Sequence, residues 1–91
     1  MAVGDIINDV LTSATWVSFQ PSAGTEIMIL MSWGSGVVYT RLEDGVNDSQ
    51  IIVTTSTYGA SMNMKMGITN TNYGGFYSSG GTCAYSGIQI K

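Results

Sequence analysis

Met62, Met64, Met66 and Ile68 alternate without a break with Asn63, Lys65 and Gly67. A period of two sends successive side chains to opposite faces of an extended strand, whereas a helix scatters the same set around its circumference. The alternation runs through most of the chain and is cut at short intervals by residues that turn a backbone. These are Pro21-Ser22-Ala23-Gly24, Gly34-Ser35-Gly36, Asp44-Gly45 followed by Asn47-Asp48, Asn70-Thr71-Asn72, and Ser78-Ser79-Gly80-Gly81. Asp-Gly between two β-branched runs is a strong hairpin signal.

Strands are therefore expected over residues 15–19, 26–33, 37–42, 51–55, 62–68, 73–77 and 82–90, with a Ser/Thr/Gly loop after residue 55. Residues 3–11 read as a strand or a short helix. Gly74-Gly75 marks a bulge or a close backbone approach. Such spacing predicts an all-β domain over residues 1–91, a small β-sandwich or jelly-roll-like barrel of seven to eight short antiparallel strands. The segment from Glu26 to Trp33 is apolar on both faces, with Ile27, Ile29, Met31 and Trp33 on one and Met28 and Leu30 on the other. A strand buried on both sides is central or lies at a subunit contact. The methionines of residues 62–68 are expected to point inward.

Charged residues make up only 10% of the chain, against roughly 25% in typical domains. Ser, Thr, Asn and Gly stand where Lys and Glu usually do, which suits exposed strands and weakens repulsion between neighbouring copies. Arg41, Lys65 and Lys91 are the only cations in a chain of net charge −3. Three scattered cations cannot make a footprint on phosphates, so nucleic acid is excluded as the main ligand. Residues 1–5 carry neither the basic nor the apolar region of a signal peptide. The longest apolar run, from Ile27 to Met31, is far below the ~20 residues of a membrane helix. The expected product is soluble, made in the cytoplasm, and has no membrane partner.

Chemistry has few footholds. The chain has no histidine, which removes histidine-based nucleophile activation, the commonest general base and His metal sites. Cys83 is the single cysteine and reads as a small buried hydrophobe without a disulfide, a base partner or a flanking cation. Lys65 sits mid-strand, away from any evident nucleophile. Glu26, Glu43, Asp44 and Asp48 read as solvated turn acids, because nothing in their spacing singles out a catalytic pair. The stretch from Glu43 to Asp48 lacks the ligand order of a calcium loop. No enzyme activity, cofactor or metal is expected. Trp16, Trp33, Tyr39, Tyr58, Tyr73, Tyr77 and Tyr85 are enough aromatics to stack sugar rings on a lectin-like surface, but they are spread across strands rather than clustered and are expected to pack the sheets or meet a subunit.

Three stretches carry a resemblance: Trp16-Val17-Ser18-Phe19-Gln20-Pro21-Ser22-Ala23-Gly24-Thr25-Glu26-Ile27-Met28-Ile29, Gly67-Ile68-Thr69-Asn70-Thr71-Asn72-Tyr73, and Ala84-Tyr85-Ser86-Gly87-Ile88-Gln89-Ile90-Lys91. Together they resemble small β-rich virion proteins of tailed bacteriophages, including those of cyanobacteria, of the head-decoration (cement) or head-fibre type. The resemblance implies a homo-oligomer, a trimer favoured, that sits on the capsid surface and clamps the major capsid protein or another virion component. At 91 residues a compact decoration module fits better than a long fibre. A small carbohydrate- or receptor-binding module of a fibre and a tail or neck adaptor are the competing readings. A lectin should show clustered exposed aromatics beside Asn and Asp, and a cement protein an extended apolar or edge-strand contact. Residues 10–24 and 67–90 carry no charge at all, and edge strands normally carry charges against stray pairing. The expected contact surface therefore lies on these segments, around Trp16, Ser18, Phe19, Tyr73, Tyr85, Ile88 and Gln89, with the hairpin of residues 41–48 facing solvent.

Overall fold

The computed structural model describes residues 2–12 and 14–91, and the side chains among them outside residues 51–62. The fold is all-β. Its strands are β1 (Ile6–Leu11), β2 (Val17–Phe19), β3 (Ile27–Glu43), β4 (Asp48–Ile68), β5 (Tyr73–Ser78) and β6 (Cys83–Gln89). The uncertain N-terminal segment is a strand. All pairings are antiparallel.

β3 organises the molecule. One of its edges pairs with β4 from Ile27↔Ile68 to Glu43↔Asp48. Its other edge is shared: β6 pairs with the stretch from Ile27 to Gly34, and β5 with that from Val38 to Glu43. β1 then lies outside β6, and β2 outside β5. The result is two four-stranded halves that share β3 and β4, a curled sheet closing on itself like a small sandwich.

The turn expected at Gly34-Ser35-Gly36 is a bend inside one strand. Gly36 takes φ of +75° there, a conformation that only glycine adopts cheaply. Between Gly34 and Val38 the partner positions on β4 run from Ala60 to Val53, seven residue steps against four. β4 therefore carries surplus chain round the bend, and the loop expected after residue 55 is strand instead. The opposite edge of the bend is fastened by Ser35 N–H to Thr82 O (3.2 Å), Ser79 N–H to Val37 O (3.0 Å) and Gly80 N–H to Ser35 O (3.0 Å). The Ser78 hydroxyl also donates to Ser35 O. Across the fold, the buried hydroxyls of Ser32 and Thr40 meet at 2.9 Å.

The core fills the space between the halves. Ile27, Ile29, Ile68, Phe76, Cys83 and Tyr85 are buried there, with Ile7, Leu11, Phe19, Met64 and Met66 packed around them. Met64 and Met66 point inward as their alternation requires; the side chains of Met62 and Tyr58 lie outside the described residues. Phe76 of β5 stacks on Tyr85 of β6 at 4.4 Å, and Phe19 of β2 stacks on Tyr85 at 5.3 Å. These rings join one half to the other. Cys83 is free and buried, and burial pushes its thiol above the usual range.

One expectation about β3 fails. Between Ile29 and Met31 the register with β6 slips by one residue, leaving Leu30 unopposed. A one-residue slip sends every later side chain to the other face. Ile27 and Ile29 are fully buried, but Ser32 takes the next inward position, and Met31 (37% exposed) and Trp33 (39%) point outward.

Candidate functional site

The structure does not bring the expected contact residues to one surface. Tyr85 and Gln89 are buried, at 6% and 7% exposure, and Phe19 is half-buried against Tyr85. Ile88 lies half-buried on the outside of the β1-β6-β3 half. Trp16, Ser18 and Tyr73 belong to the other half. The uncharged segment 67–90 supplies β5 and β6, which run between two neighbours each and are mostly buried, whereas the segment 10–24 supplies the end of β1 and all of β2, the two terminal strands of the sheet order. Burial between neighbouring strands accounts for the lack of charge in residues 67–90.

Two outer faces have functional character. The first is the outer face of β1, β6 and β3. The register places Ile6, Ile88 and Met28 in one cross-strand row, Asn8, Ser86 and Met31 in the next, and Val10, Ala84 and Trp33 in a third. Ile6 is 71% exposed and Val10 63%. None of these nine residues is charged. β1 is also an edge strand, and Asp9 is its one charged residue.

The second face lies on the opposite side, on β3, β5 and β2. Tyr39, Arg41 and Glu43 share one side of β3, and the register sets them against Tyr77, Gly75 and Tyr73. Trp16, just before β2, closes the cluster: its ring lies 6.0 Å from Tyr39 and 5.5 Å from Tyr77, which are 5.6 Å from each other. The Arg41 guanidinium sits 4.2 Å above the Trp16 ring. Its Nε donates to Glu43 Oε2 at 2.9 Å, and Nη1 lies 3.9 Å from Asp48 Oδ2. Ser18 donates its hydroxyl to the same Glu43 oxygen at 3.2 Å. A Cβ at Gly75 would stand 2.6 Å from Glu43 Oε2 and 2.8 Å from Arg41 Nε. The missing side chain lets the pair lie flat across β5.

Arg41, Tyr39 and Tyr77 were not expected in a site. Their spacing within each strand is visible in the chain, but the Tyr39↔Tyr77 pairing depends on which strand follows which along β3. Beyond Glu43 the face runs into a shallow depression of about 220 Å³ whose lining includes Asp44, Asn47, Asp48 and Asn72. Asp44 Oδ1 accepts the N–H groups of Asn47 (2.7 Å) and Val46 (2.9 Å). These bonds, Asn47 first, hold its carboxyl below the usual range. Asp44 serves the turn. Among the described residues, no group of three His, Cys, Asp or Glu is placed to hold a metal ion.

Tyr85, removed from the surface, becomes a pH-sensitive core residue. Burial first, and the Asp9 carboxylate second, push its phenol up to about 12, above the ~10 of an unfolded chain. A raised pKa means that its contribution is whole below pH ~10 and is lost as pH rises through about 12. The expected loss is on the order of 2 kcal/mol. Urea midpoints measured from neutral to strongly alkaline pH should fall in this window, and Tyr85→Phe should remove that part of the slope. An unchanged slope in the variant would show that other groups drive alkaline unfolding.

No protein-family model matches the chain, and no curated protein matches it either.

Proposed function

We propose that this chain is a non-enzymatic virion structural protein of a tailed bacteriophage, which decorates the outer capsid as a homo-oligomer, with a trimer favoured. The proposal rests on the resemblance carried by residues 16–29, 67–73 and 84–91, and on one structural observation. The outer face of β1, β6 and β3 leaves Ile6, Val10, Leu30, Met31 and Trp33 exposed. Together these side chains expose on the order of 500 Å², comparable to the largest patch of a typical monomer.

A second copy of the chain is the occupant that the charge pattern favours. The three cross-strand rows contain no charge, so copies can meet there without burying ions, provided that Lys65 of β4, exposed beside Leu30 on the same face, stays at the rim. The one-residue slip at Leu30 supports this reading. It turns Met31 and Trp33 away from the core and onto this face, where burial against a sister subunit offsets their exposure.

Val10→Lys and Trp33→Lys should each dissociate the oligomer in sedimentation velocity, while Asp48→Lys at the hairpin should leave it assembled. Labelled antibody on purified virions should decorate heads in a lattice pattern. A wild-type monomer at high micromolar concentration, or label confined to tails, would overturn the assembly and the location respectively.

A further inference from the structure

We propose that the Trp16, Tyr39, Tyr77, Arg41 and Glu43 cluster is a binding platform for uncharged pyranosides, the sugar units of a neutral surface glycan. The inference goes beyond the assembly reading and does not depend on it, because the cluster lies on the face directed away from the apolar rows. A sugar ring offers a C–H face that packs on aromatic rings and a rim of hydroxyls that donate and accept together. Three mutually touching aromatic rings lie on one patch here, with centroids 5.5–6.0 Å apart. Beside them stand an N–H donor group and a carboxylate already held in place.

The polar groups are both fixed and unsaturated. Arg41 is held by Trp16, Glu43 and Asp48, and Glu43 Oε2 by Arg41 and Ser18. Glu43 Oε1, Arg41 Nη2 and the hydroxyls of Tyr39 and Tyr77 have no hydrogen-bond partner among the described residues. Holding side chains in advance lowers the ordering cost of binding a small ligand. With no side chain at Gly75, the Arg41 and Glu43 side chains lie directly over the β5 backbone. The row ends at the depression beside Asn47 and Asn72, where a second sugar of a chain would find more hydrogen-bonding partners.

Charge selects the class. Arg41 is already balanced by Glu43 and Asp48, and Asp44 lies in the same depression. The patch is therefore net negative, which disfavours sialylated or phosphorylated glycans and leaves neutral ones.

The test is a two-dimensional NMR titration of the full chain with a glucose trisaccharide, an N-acetylglucosamine trisaccharide and sialyllactose. Saturable shifts at the Trp16 indole and Arg41 Nε–H with at least one neutral trisaccharide are expected, while the Trp33 indole on the opposite face stays still. Glu43→Gln should weaken that binding roughly tenfold, the factor that follows from one lost charge-assisted hydrogen bond. The same spectra report whether the variant is folded. Tyr77→Phe, which keeps the ring, should weaken it less. No shift with either neutral trisaccharide up to tens of millimolar overturns the proposal, as does preferential binding of sialyllactose. Loss of self-association in Trp16→Ala, without any saccharide shift in the wild type, would assign the cluster to a protein contact and overturn it equally.

Discussion

Phe76→Ala is expected to remove about 3–5 kcal/mol of stability, the usual cost of truncating a buried phenylalanine. A domain of this length has roughly 5–14 kcal/mol in total, so the variant should lose a large fraction of its stability. The magnitude follows from position. Phe76 is 1% exposed and stacks on Tyr85 at 4.4 Å with the rings 12° from parallel. Tyr85 in turn stacks on Phe19, so removing Phe76 opens the contact that ties the β5 half to the β6 half. Val46→Ala is the control: Val46 is 89% exposed at the hairpin tip and should change stability by less than about 0.5 kcal/mol. Urea unfolding of the three proteins gives the comparison. A Phe76→Ala loss below about 1 kcal/mol, small for a buried ring, would mean that the halves are not joined through this ring.

The second large effect concerns two glycines with opposite surroundings. A Cβ added at Gly87 would collide with the carbonyl oxygen of Met28 and stand 3.0 Å from Ile29 Cα. Both are backbone atoms of β3, beside the slip at Leu30, and cannot yield without breaking the β3–β6 ladder. Gly87→Ala should therefore cost about 3 kcal/mol or more, at or above the upper end for overpacked sites. At Gly67, in β4, an added Cβ meets nothing within 4 Å and the backbone φ is not positive. Gly67→Ala should be neutral or stabilising by up to about 1 kcal/mol, because alanine restricts the unfolded chain. Equal effects at the two positions would show that β3 and β6 do not approach each other this closely at Gly87. Both substitutions add the same atoms, so intrinsic propensity cannot produce a difference between them.

Much of the architecture was legible because strand signals are local. The alternation of Met64, Met66 and Ile68 predicts their inward side, and Asp44-Gly45 predicts a hairpin whose Asp44 side chain does accept the turn N–H groups. The candidate surfaces were less legible. Residues 67–90 look like an unprotected edge in one dimension, since uncharged sequence reads the same whether its cover is a partner or the protein's own strands. Tyr85 and Gln89 were assigned to a surface for that reason and proved to be interior. The aromatic cluster was missed for the converse reason: Trp16, Tyr39 and Tyr77 are far apart along the chain and meet only through the pairing of β5 with β3 on one edge and with β2 on the other.

The chain's own periodicity, turn chemistry and scarcity of charge determine an all-β domain with Met64 and Met66 inward and a hairpin at residues 44–47, because each depends on neighbours a few residues away. Only the tertiary structure decided that β3 runs unbroken through its glycines, that a slip at Leu30 turns Met31 and Trp33 outward, and that an apolar face and an aromatic face lie on opposite sides. Those outcomes depend on strand order and register, which are set by the combined packing of the two halves around Phe76 and Tyr85. A one-residue shift in register is almost invisible in local sequence, yet it reverses which side chains meet solvent.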